Sequence, residues 1–182
     1  MLSSDRERRL WFWLLAVVVA IYSTLGLART LADELRNRGL LDTTFVWCTI
    51  LLVAATVALA FRIRPRGAEI GVALAVFAVY VLAFVRMALP EERTHLVEYG
   101  VVTLLVYEAL TERAANGRHV PRPALTAVVI AVAVGTLDEL IQALIPSRVF
   151  DPVDIFVNVV AVLLAITARL ALGRAGRARL DA

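Results

Sequence analysis

The chain is expected to fold as an all-α bundle of membrane-crossing helices, and three observations carry that expectation. Sixty per cent of its 182 residues are hydrophobic. The apolar residues gather in runs that approach or reach the length needed to cross about 30 Å of hydrocarbon. The basic residues are all arginine and fall in short clusters at the ends of those runs. Six spans are expected: Leu10 to Leu27, Phe45 to Phe61, Ile70 to Leu89, His95 to Leu110, Ala124 to Ile145 and Val153 to Leu172. They form one integral membrane domain over residues 1–182.

The first run follows Arg6, Arg8 and Arg9, as a signal peptide would, but it is too long and Ser23, Gly26 and Ala28 make a poor cleavage site. A retained signal anchor is expected. In the loop that follows, Leu31, Leu35, Leu40 and Leu41 suggest a short helix lying at the interface. The second span holds the single cysteine, Cys48, which excludes an intramolecular disulfide and reads as a small core residue. Arg62, Arg64 and Arg66 separate the second span from the third. The loop between the fourth and fifth carries Arg113, Arg118 and Arg122, with a solvated His119 among glycine and proline. Arg169, Arg174, Arg177 and Arg179 close the chain in a basic tail suited to anionic lipid.

With six spans these arginine-rich segments share one side, and thirteen of the nineteen arginines lie there. The positive-inside rule makes it the cytoplasm, so both termini are expected inside. A sequence pI near 9.6 therefore reflects topogenic charge and not a nucleic-acid partner.

Against this background the stretch DELIQALIPSRVFDPVDIFVN is anomalous, because carboxylates inside a bilayer are costly. Asp138, Glu139 and Gln142 fall on one helical face, as do Asp151, Asp154 and Asn158, so two polar stripes face each other across the turn at Pro146. The fourth span supplies a third wall, with His95, Glu98 and Tyr99 at i, i+3 and i+4. Counted from the neighbouring prolines, Glu98, Asp138 and Asn158 lie about 9 to 12 Å below the outer edge. The polar residues converge at one level, in a pocket open towards the outside.

The series D-E-x-x-Q-x-x-x-P-x-R from Asp138 to Arg148, with Asp154, Asn158 and the ERTHLVEYG segment, resembles the VanZ-like family of bacterial membrane proteins over Glu91 to Leu172. Leu144 stands where the family pattern usually has an aromatic, and Ala161 and Ala165 stand where it has glycines, which keeps a small-xxx-small face. The resemblance implies an all-helical membrane domain, a role at the cell envelope and, in some members, tolerance of the glycopeptide teicoplanin.

Each polar residue has a structural role to set against a functional one. Asp138 and Glu139 could be interhelical glue, yet serine, threonine or asparagine would serve that role at a lower desolvation cost. Arg148 could snorkel to phosphates or clamp an anionic substrate with its planar fork. His95 could sit at the interface, while Glu98 one turn on would orient its ring for proton transfer. Tyr99 could be an interfacial anchor. Asp151 suits a helix cap, Asp154 and Asn158 the site. Glu108, near the inner face, is expected to be structural, with Arg113 as partner.

The leading expectation is a pocket that binds or modifies an amphiphile: a membrane lipid, a lipid-linked cell-wall precursor or a lipoglycopeptide. His95 and Glu98 would act as acid and base and Asp138, Glu139 and Asp154 would hold a cation or the polar end. Gln142, Arg148, Asn158 and Tyr99 would bind substrate. A divalent metal held by His95, Glu98, Asp138, Glu139 and Asp154 is a further possibility, although no tight ligand spacing such as H-E-x-x-H occurs. A proton-coupled carrier and a scaffold with no catalytic activity remain open alternatives. No G-x-S-x-G, phosphate loop or paired-cysteine motif supports serine hydrolase, NTPase or thiol redox chemistry.

Overall fold

The computed structural model describes residues 4–63, 67–86, 90–145 and 152–180. They form six helices: α1 (Asp5–Asn37), α2 (Leu41–Ile63), α3 (Ala68–Arg86), α4 (Pro90–Ala115), α5 (Pro123–Gln142) and α6 (Pro152–Leu180). Three are long and apolar enough to cross a membrane among the described residues: Ala68–Arg86, Pro123–Gln142 and Pro152–Gly176. The chain is an all-helical protein with the character of a membrane protein.

Local chemistry sets the helix ends. Proline opens α4, α5 and α6 at the first helical position, where its missing N–H costs nothing. At the start of α1 the Ser4 side chain accepts from the Glu7 amide at 3.0 Å. Both α1 and α4 end in a Schellman motif: Leu40 N donates to Leu35 O and Gly39 N to Arg36 O after α1, and Arg118 N to Arg113 O and Gly117 N to Ala114 O after α4. Gly39 and Gly117 sit at φ +67° and +75°, where a Cβ would be strained.

Helix α4 is the centre of the bundle, packed by α1, α5 and α6, and α3 leans on α6. The core is built from Leu96, Val102, Val106 and Leu110 of α4, Ala127 and Ala131 of α5, Val157, Ala161 and Val162 of α6, and Leu14 and Ile21 of α1. Small residues permit the close approach: Ala161 and Ala165 are buried, and a Cβ on Gly100 would lie 4.0 Å from the Ala165 Cβ. The Tyr22 hydroxyl ties α1 to α5 by donating to Val134 O at 2.9 Å.

Two expectations are corrected here. The short interfacial helix expected between the first two spans is the last part of α1, which runs unbroken to Asn37. Ion pairs one turn apart, Arg36 to Asp33 and Arg38 to Glu34, support its charged end. Cys48 is exposed and not a core residue, because α2 packs weakly, against the side of α1. The basic tail is helical as far as Leu180, a continuation of α6.

The end of α4 farthest from Pro90 carries an ionic clasp. Glu7 is fully buried and accepts from Arg113 Nη1 at 3.1 Å and from Trp11 Nε1 at 3.3 Å. Glu108 is structural, as expected, but its partners are Arg6 at 3.2 Å and Arg169 at 2.6 Å, while the Arg113 expected beside it serves Glu7. Glu112 accepts from the Ser4 hydroxyl at 2.8 Å and from Arg6 at 3.1 Å. The clasp thus joins the start of α1, the end of α4 and the second half of α6.

Glu112 lies beyond the apolar part of α4, and its carboxyl is held below the usual range. The Ser4 hydroxyl contributes most, then the Asn116 amide, with Arg6 adding to them and partial desolvation and Glu7 opposing. A carboxyl whose folded pKa is depressed contributes stability that is present above the unfolded value, about 4.3, and lost as pH falls through the folded value. The unfolding midpoint of the detergent-solubilised protein is therefore expected to exceed that of Glu112→Gln at pH 6, and the two to converge near pH 3. A difference that stays constant with pH would refute the assignment.

Candidate functional site

At the other end of the bundle, the apolar pattern is interrupted on three helices at one level. His95 is five residues into α4, Asn158 six residues into α6, and Asp138 four residues before the end of α5. At 1.5 Å per residue each lies about 6 to 9 Å in from the same end of the bundle.

The side chains turn inward. Asp138, Glu139 and Tyr99 are fully buried, Asn158 and Gln142 nearly so, and His95 is the most accessible at 7%. Gln142 Nε2 donates to Asp138 Oδ2 at 3.1 Å and to Glu139 Oε1 at 3.0 Å, so one amide orients both carboxylates. One ligand atom from each of His95, Asp138 and Glu139 lies within 4.8 Å of the others. The His95 ring stacks parallel to Tyr99, with centroids 5.8 Å apart. The Tyr99 hydroxyl lies beside Asp138.

Gly135 makes this convergence possible. A Cβ there would fall 3.1 Å from the Asn158 Cβ and 3.2 Å from Tyr99 Cε1, so α4, α5 and α6 meet at a point where no side chain fits easily. Asn158 Nδ2 donates to the Gly135 carbonyl at 3.3 Å, which locks α6 to α5 one turn before Asp138.

Two buried polar atoms of the cluster, His95 Nδ1 and Asn158 Oδ1, have no hydrogen-bond partner among the described residues, while the Tyr99 hydroxyl is hydrogen-bonded to Asp138. Such atoms cost about 1 to 3 kcal/mol each when left unsatisfied, so their grouping around two carboxylates marks a place that can take a polar ligand.

The structure therefore brings together His95, Tyr99, Asp138, Glu139, Gln142 and Asn158. Tyr99, read from sequence as a possible interfacial anchor, is a wall of the cluster. Glu98 and Asp154 are half-buried, and neither joins the compact ligand group. Arg148 and Asp151 lie outside the described residues. The side chains expected to line an open pocket are enclosed, since the helices close over them. Arg93, which sequence reasoning passed over, sits at the rim with its guanidinium 4.9 Å from the Phe84 ring centroid, bridging α4 to α3. Its sequence signal was an arginine two residues before His95 in a segment otherwise read for its acids. Compared with models of protein families, with curated proteins and with solved structures, the chain gives no match.

Proposed function

We propose that the chain is a multi-pass, VanZ-like protein of the bacterial cytoplasmic membrane that binds the polar end of an amphiphilic envelope component in the outer leaflet. Six spans with both termini in the cytoplasm place the ionic clasp inside and the polar cluster outside. The observation that carries the reading is the burial of His95, Tyr99, Asp138, Glu139, Gln142 and Asn158 at one level of three helices. Hydrogen-bonding groups concentrated this way in an apolar bundle are costly unless they serve a ligand. The enclosure means that the helix ends part to admit a headgroup, and Arg148, ten residues on from Asp138 in the sequence, would bind an anionic group. Where chemistry accompanies binding, His95 and Glu98 act as acid and base at the bound polar end.

The test is substitution of Asp138→Asn and Glu139→Gln in a host that lacks the gene. Protein abundance is measured by immunoblot, teicoplanin tolerance in culture, and co-purifying lipid by native mass spectrometry. Loss of tolerance and of bound lipid at unchanged abundance is the expected result. Normal tolerance and normal lipid content at normal abundance would overturn the proposal, and loss of abundance alone would favour a scaffold.

A further inference from the structure

We propose that His95, Asp138 and Glu139 hold a divalent transition-metal ion, with Zn²⁺ the cation best matched to them. The three side chains come from two helices and bring one nitrogen and two oxygen ligands within 4.8 Å of one another. Around a single zinc ion, with bonds of about 2.0 to 2.2 Å, ligand atoms stand about 3 to 4 Å apart.

The donor set selects the ion. Imidazole suits zinc, iron, copper and nickel, whereas calcium and magnesium take oxygen ligands, and magnesium gives up its water reluctantly. Carboxylates without thiolate argue against a copper(I) or iron–sulfur site, and Cys48 is on the exposed face of α2. Charge agrees as well: an ion of charge +2 matches the formal charge of the two carboxylates that would ligate it.

The second line of support is the ring of polar atoms around the triad. His95 Nδ1 and Asn158 Oδ1 are buried with no partner among the described residues. A metal-bound water is a strong donor, from which the asparagine oxygen can accept. The imidazole supplies its lone pair to the ion. Gln142 holds both carboxylates from behind, as the outer partners of metal ligands do. Three protein ligands leave one position open for water or for an oxygen of a bound molecule.

The ion itself rests on the geometry of the cluster. Only the identity of the molecule meeting its open position rests on the amphiphile-binding reading, where a phosphate or carboxylate oxygen would fill it.

The experiment uses the full chain, purified in detergent without a histidine tag, stripped with EDTA, loaded with Zn²⁺, and assayed by elemental analysis and thermal unfolding. About one zinc per chain and a raised unfolding temperature are expected, with both lost in His95→Ala. Gln142→Leu is expected to weaken zinc binding about 10- to 100-fold. His119→Ala, which removes the only other histidine, keeps the zinc. Loading with Co²⁺ gives a visible ligand-field band that His95→Ala abolishes, and monodisperse elution confirms that each variant is folded. Absence of zinc from folded wild-type protein, or equal zinc in His95→Ala, would overturn the proposal. Loss of the zinc claim with lipid still bound leaves the amphiphile reading intact, and zinc without lipid does the reverse.

Discussion

Gly135→Leu is expected to lower the stability of the detergent-solubilised protein by about 3 kcal/mol, because overpacking a tight contact costs about 1 to 3 kcal/mol and this site is tight on two sides. The leucine Cβ would already press on Asn158 and Tyr99, and its outer carbons have nowhere to go. The α5 helix must move away from α4 and α6, breaking the Asn158 to Gly135 hydrogen bond on the way. Gly135→Ala separates crowding from helix propensity. Alanine favours the helix by about 1 kcal/mol, which offsets the few tenths of an ångström its Cβ demands, so that variant is expected to lie near wild type. Unfolding in a denaturing-detergent titration measures both. A leucine variant as stable as the alanine one would show that α5 does not pack against α4 and α6 as described.

Arg113→Ala is expected to cost about 2 kcal/mol. Removing one partner of a buried ion pair costs about 3 to 5 kcal/mol, reduced here because the arginine side chain is 35% exposed while the Glu7 side chain is fully buried. The loss falls on Glu7, whose charge stays in place after its guanidinium has gone. Adding Glu7→Gln to Arg113→Ala removes that charge and is expected to recover part of the loss, giving a coupling energy in a double-mutant cycle. Additive losses would mean that the pair does not interact. A companion Trp11 signal follows the same contact, since Trp11 Nε1 bonds Glu7.

The helices themselves were legible, because runs of apolar residues bounded by arginine or proline leave little choice in a chain of this composition. So were the stripes within each helix, since Asp138, Glu139 and Gln142 must share a face whatever surrounds them. What spacing alone does not determine is how each helix is rotated about its axis. That rotation separates His95 and Tyr99, which reach the cluster, from Glu98, which shares their stripe and stays half-buried. The burial of Glu7 was hidden for a different reason: it stands among three arginines that read as solvated topogenic charge, and only the arrival of Arg113 from α4 makes it a core residue. The length of α1 was hidden because its charged final turns resemble an interfacial segment, although their i,i+3 and i,i+4 ion pairs are also what keeps a helix going.

The central helix has a consequence for the surrounding lipid. From His95 at one end of α4 to Glu108 at the other is a step of thirteen residues, about 20 Å of helix, against about 30 Å of hydrocarbon in an ordinary bilayer. Its one outward stripe, Val97, Val101 and Leu104, falls inside that short interval. A bilayer meeting this stripe is too thick for it, and the mismatch is relieved by local thinning. Thinning would lower the headgroups towards the level of His95, so the short apolar interval of α4 would bring the lipid surface to the cluster.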